Sequence, residues 1–131
     1  MNAKRSKIPW RNRNATGWWV YGELDYWVSN QRRRLRPKNR CPVGENTRVI
    51  KARSREEAYA KILRLASQMF PSKTDGGEWR FKGISFLLPI YEKLEDGAEI
   101  IWDDHGSISF GRLCRMAKAK RELPVFDDTD Q

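Results

Sequence analysis

Between Trp18 and Val28 the chain alternates: Trp18, Val20, Leu24, Tyr26 and Val28 share one side of an extended backbone, and Glu23 and Asp25 fall on the other. A period of two predicts a half-buried β-strand. The second side also carries Trp19, Tyr21 and Trp27, so it is aromatic and acidic together and suits packing against something other than water. With 131 residues the chain can build one hydrophobic core and no second, which excludes a two-domain reading.

A second strand is expected at Thr47 to Arg53, running directly into a helix. Ser54-Arg55-Glu56-Glu57 has the form of a capping box, in which the serine hydroxyl accepts from the Glu57 amide and Glu57 reaches back to the Ser54 amide. Ala58, Ile62, Leu65, Ala66 and Met69 then recur at helical spacing until Pro71 stops the run, so one face of this helix must lie on a sheet. Ser72 to Gly77 reads as a turn and Glu78 to Glu92 as extended, with a change of apolar phase at Gly83 that predicts a β-bulge. Pro89 favours an edge or a strand end. Asp96-Gly97, between Tyr91 to Leu94 and Ala98 to Trp102, predicts a hairpin with a type I′ turn. His105-Gly106 turns the chain into a possible short strand, Ser107 to Phe110, and Arg112 to Leu123 reads as a basic helix. The fold class expected is α+β: a β-β-α-β-β order forming an antiparallel sheet covered by one amphipathic helix, with a C-terminal basic helix appended. In domain terms this gives a flexible basic arm over 1–16, a single domain over 17–123 with a long basic loop at 29–46, and an acidic disordered tail over 124–131.

Charge narrows the function classes. Against 26 Lys and Arg stand 17 Asp and Glu, a net +9, and the excess is concentrated: residues 1–53 hold 14 basic and 3 acidic side chains. One source is the arm, with Lys4, Arg5, Lys7, Arg11 and Arg13. The other is the loop, where Arg32, Arg33, Arg34, Arg36, Lys38 and Arg40 follow the aromatic Tyr26 and Trp27. Such a loop offers phosphate contacts beside a surface on which bases can stack, and arginine suits bidentate phosphate binding. The expected partner is therefore nucleic acid, bound without strong sequence specificity. The alternative is a small adaptor or immunity-type subunit that grips an acidic protein through Trp19, Tyr21, Trp27 and the same loop, since tryptophan and arginine often anchor interfaces. Of the 6 tryptophans, Trp18, Trp79 and Trp102 are expected in the core and Trp10, Trp19 and Trp27 outside it.

Enzyme chemistry is weakly supported. Glu99, Asp103, Asp104 and His105 lie close in sequence and suggest at most a metal-dependent nuclease, against the simpler reading of a solvated hairpin rim. The single histidine limits acid–base options, and no Gly-rich phosphate loop occurs. The chain is read as non-enzymatic, with no catalytic residue, no metal and no cofactor. No apolar run approaches the length needed to cross a bilayer. Cys41 and Cys114 make no metal-like spacing, which points to a reducing cytoplasm.

Three stretches are informative together: Trp18-Trp19-Val20-Tyr21-Gly22-Glu23-Leu24, then Ile50-Lys51-Ala52-Arg53-Ser54-Arg55-Glu56-Glu57-Ala58, and last Trp79-Arg80-Phe81-Lys82-Gly83-Ile84 with Leu94-Glu95-Asp96-Gly97-Ala98-Glu99-Ile100. In this order they resemble a family of small bacterial proteins designated domain of unknown function 4288. The resemblance covers about residues 17–103. It implies a fold and a bacterial or phage setting, and it brings no catalytic residues, because the family has no established activity. The arm, the Arg32 to Arg40 loop and the C-terminal helix depart from the family pattern.

Overall fold

The computed structural model describes residues 16–128. The basic arm, with Trp10, Lys4, Arg5 and Lys7, and the last three residues of the acidic tail lie outside that range. Four strands form one antiparallel sheet in the order β2-β1-β4-β3: β1 is Trp18–Ser29, β2 Val43–Lys51, β3 Ser72–Thr74 and β4 Gly77–Pro89. Helix α1, Arg55–Met69, connects β2 to β3. The α+β class and the β-β-α-β-β order hold, although the last two strands are Ser72–Thr74 and Gly77–Pro89 where Glu78 to Glu92 and Ala98 to Trp102 were expected.

Strand β1 organises the molecule because it is paired on both sides, with β2 from Trp18 opposite Lys51 to Tyr26 opposite Val43, and with β4 over its whole length. Its twelve residues offer β2 more partners than the apolar pattern of Thr47 to Arg53 suggests. Val43 to Asn46 therefore join the ladder, and the loop is shorter than expected. Helix α1 begins as its capping box directs: Ser54 Oγ accepts from the Glu57 amide at 3.1 Å. The Glu57 carboxylate reaches one residue further back than expected, accepting from the Arg53 amide at 2.7 Å. Ala58, Ile62 and Ala66 are buried, and they pack with Trp19, Tyr21, Ile50 and Ala52.

That packing corrects the placement of two tryptophan-rich faces. The helix lies on the aromatic and acidic side of β1, so Trp19, 5% exposed, and Tyr21, 3% exposed, are core residues and cannot serve as surface anchors. The Trp19 indole finds its partner inside, donating to the Ala52 carbonyl at 3.0 Å, which removes the cost of burying its N–H. Trp18 and Trp79 are half-buried, whereas Trp102 is exposed rather than in the core. Val20, Val28 and Ile90 are also buried, so β1 is covered on both faces.

The bulge expected at Gly83 is present and doubled. Between Phe86 opposite Gly22 and Ile84 opposite Glu23 the register skips Ser85, and between Gly83 and Phe81 it skips Lys82. Pro89 ends β4, where a missing amide donor is tolerated. The segment Ser72 to Gly77, expected as a plain turn, includes β3 and a tight reversal at Gly76, whose φ is +88°.

Beyond Pro89 the expectations fail more often. The Asp96-Gly97 turn forms, with the Ala98 amide donating to the Glu95 carbonyl at 2.9 Å, yet no strands flank it. Only Gly97 has positive φ, +85°, which is the pattern of a type II turn; such a turn splays its flanks instead of twisting them into a hairpin. Ser107 to Phe110 is not a strand. Ser109 instead caps a short helix α2, Phe110–Met116, which stops at Ala117 and is followed by 3₁₀ turns at Lys120–Glu122 and Pro124–Phe126. None of these elements buries a residue. Without a surface to pack on, a helix running to Leu123 lacks the stabilisation that helices of this length require.

Candidate nucleic-acid interface

The loop from Asn30 to Pro42 is tied at both ends. Ser29 Oγ accepts from the amides of Gln31 and Arg32 at 3.0 and 3.1 Å, Asn30 donates to the Gly76 carbonyl at 2.9 Å, and the Trp27 amide donates to the Pro42 carbonyl at 3.0 Å. In its middle, Arg36 and Asn39 exchange two bonds of 2.9 Å, one backbone and one through the Asn39 side chain. These contacts hold the basic side chains outward: Arg32, Arg33, Arg34, Arg36, Lys38 and Arg40 are all exposed.

Between the loop and the sheet lies a cleft of about 380 Å³. Arg33 and Arg36 line it from the loop, Arg80 and Lys82 from β4, and Leu24, Asp25 and Tyr26 from β1. Arg80 is the tie between the two walls. Its Nε donates to the Glu78 carboxylate at 2.8 Å and its Nη1 to the Arg33 carbonyl at 3.2 Å. Arg33 in turn stands 3.5 Å from Glu78. Glu78 is 5% exposed, and the Arg80 hydrogen bond, with the Arg33 charge behind it, holds its carboxyl below the ordinary range. Glu78 is thus an internal counter-ion that fixes two arginines while Arg36 and Lys82 stand without a carboxylate among the described ion pairs.

Four of the six loop cations, Arg32, Arg34, Lys38 and Arg40, are exposed and do not line the cleft. Trp27, expected as the stacking residue, does not line it either; its Nε1 donates to Thr74 Oγ1 at 2.9 Å and its ring lies against Gly77. Tyr26 occupies that position instead, because alternation along β1 sends neighbours to opposite faces. Arg80 and Lys82 went unrecognised in the sequence; the signal was there in Trp79-Arg80-Phe81-Lys82, and pairing of Arg80 with Tyr26 brings it to the loop.

A second cleft, of about 420 Å³, opens near the C-terminal end of α1, lined by Asp25, Asn46, Arg48, Met69, Phe70 and Trp79 among others. Beside it lies a buried polar cluster. Arg48 donates to Glu23 through Nε at 2.8 Å and Nη2 at 3.4 Å, and Asn46 Nδ2 donates to Glu23 at 3.1 Å and to Asp25 at 3.0 Å. Burial raises the Asp25 carboxyl to about 7, helped by its hydrogen bond to Glu23 and by the Glu23 charge. Burial acts on Glu23 in the same sense, but hydrogen bonds from Asp25, Arg48 and Asn46 outweigh it and hold Glu23 low. The two carboxyls therefore share a proton that Asp25 holds in acid and gives up around neutral pH.

Glu99, Asp103, Asp104 and His105 are not brought together into a metal centre. Among the described residues no group of three or more His, Cys, Asp or Glu side chains can hold a metal ion, and Asp104 accepts from the Gly106 amide at 2.8 Å as an ordinary turn. Cys41 and Cys114 are free thiols. Among the described residues no helix is long and apolar enough to cross a membrane.

The fold and its clefts define a small α+β protein with a basic, aromatic-floored groove on one part of its sheet. Residues 28–102 match the family described as Domain of unknown function (DUF4288), and the chain belongs to it. The matched range takes in the Arg32 to Arg40 loop and leaves out the stretch Trp18 to Leu24. No curated protein and no solved structure matches the chain.

Proposed function

We propose that the protein is a non-enzymatic binding protein whose basic cleft and loop engage an anionic partner, nucleic acid in the first place. The observation that carries this reading is the convergence of Arg33, Arg36, Arg80 and Lys82 on one cleft beside Tyr26, with Arg32, Arg34, Lys38 and Arg40 exposed on the same loop. Guanidinium groups on an ordered loop bind phosphates at low entropic cost, and a tyrosine between them offers a face to a base. No feature supports base-specific readout, so binding is electrostatic and tolerant of sequence. The setting that fits is a reducing bacterial cytoplasm, in which Cys41 and Cys114 stay as thiols.

The test is fluorescence anisotropy with labelled single-stranded and duplex oligonucleotides over a salt series, on the wild type and on a variant carrying Arg33→Glu and Arg36→Glu. Log-linear weakening with salt and a loss of about tenfold or more in the variant support the reading. Binding that is absent, or equal in the variant, overturns it and leaves an acidic protein as the partner. That alternative now rests on the loop and the half-buried Trp27, because Trp19 and Tyr21 are buried.

A further inference from the structure

Asp25 lines both clefts, and in the second one its only charged neighbour in the lining is Arg48. Glu23 is fully engaged by Arg48 and Asn46, so carboxylate and guanidinium neutralise one another. Asp25 is left over. It is 4% exposed, takes one hydrogen bond from Asn46, and its Oδ1 has no hydrogen-bond donor among the described residues. A buried carboxyl oxygen without a donor is costly, and what relieves it is a proton or a cationic donor.

The surroundings favour a cation. Trp79 and Phe70 line the same cleft, and aromatic faces attract ammonium groups. The C-terminal end of α1, at Met69, carries the negative end of the helix dipole, and its last turn holds no basic residue. Met69 adds apolar lining for an alkyl chain. A divalent ion lacks enough ligands there, as no cluster of three metal-binding side chains exists among the described residues.

We infer that this cleft is a binding site for an alkylammonium group, the protonated primary amine of a small molecule or of a lysine side chain, with Asp25 Oδ1 as its acceptor and Trp79 and Phe70 at its flanks. Binding is linked to pH. The charged or titratable groups around Asp25 are Glu23 and Tyr21 on β1, Arg48 on β2 and, in the basic cleft that Asp25 also lines, Arg33 and Arg36 of the loop and Arg80 and Lys82 of β4, while Ser72 of β3 and Trp79 of β4 are uncharged. An ammonium ion and the proton compete for one carboxyl, so the ligand binds the ionised form and affinity rises with pH until Asp25 is fully deprotonated.

Calorimetric titration of the full chain with n-butylammonium, and separately with an acetylated, amidated lysine peptide, tests this and tells the two sources apart. Binding of at least one probe, an affinity gain of about tenfold from about pH 6 to about pH 8, and a loss of about tenfold or more in Asp25→Asn support the inference. A second measurement avoids dependence on the variant: NMR of the Asp25 carboxyl carbon in the wild type must show its titration midpoint move down when the bound probe is present. No binding by either probe, an unchanged midpoint, or a folded Asp25→Asn variant that binds like the wild type overturns it.

Discussion

Gly77 shows how tightly single residues are held at the open end of the sheet. A Cβ at this position collides with the Val28 carbonyl oxygen and the Trp27 ring, neither of which has room to yield, since the indole is fixed by its bond to Thr74. Gly77→Ala is expected to destabilise the protein by about 1–3 kcal/mol, read as a lower urea midpoint at unchanged slope. Asp25 makes a prediction of the other sign. Its carboxyl is raised from 3.8 to about 7, so the native state holds its proton more tightly than the unfolded chain does. The stabilisation this provides is complete below the unfolded value and is lost as pH rises from about 4 through about 7. Asp25→Asn carries its own N–H donors and no titration, so it is expected to be more stable than the wild type above neutrality, by on the order of 1 kcal/mol. Thermal melts across that pH range should show the advantage shrinking as pH falls.

At the level of elements, α1 depends on its start and its buried stripe. Ser54→Ala removes the acceptor for the Glu57 amide and is expected to cost about 1 kcal/mol. Ile62→Ala, at 1% exposure beneath the helix, is expected to cost about 2–5 kcal/mol in the same denaturation experiment. Both positions were legible in the sequence, because a capping box and a 3.6-residue period are local signals. What the sequence left open was relational. Both sides of β1 are apolar enough to receive a helix, so alternation could not tell whether Trp19 and Tyr21 face inward. Asn46 and Arg48 meet Glu23 only through the register of β1 with β2, and Arg80 comes to the loop only through that of β1 with β4, which two bulges displace. The Asp96-Gly97 turn was readable as a turn, but its sense depends on whether Asp96 also adopts positive φ, which the dipeptide alone does not decide.

Across the whole molecule, charge and packing are divided between different parts of the chain. Removing Lys82, which stands in the basic cleft without a described carboxylate partner, is expected to lower the salt slope of nucleic-acid binding by about one phosphate contact and leave stability near the wild type. Arg80→Ala differs, because it strips the buried Glu78 of its nearest donor and is expected to lower both binding and stability. A chain ending after Gly106 should melt within a few degrees of the full chain, since α2 and the two 3₁₀ turns bury nothing. The sheet itself raises a question of self-association. Among the described residues β3 pairs only with Gly77, Glu78 and Trp79, so most of the outer rim of β4 presents backbone amides and carbonyls that could template a strand from another molecule. The bulges at Lys82 and Ser85 and the proline at 89 interrupt the even spacing that such a guest strand needs, so the irregularities that re-register β4 also make this rim a poor template for another chain.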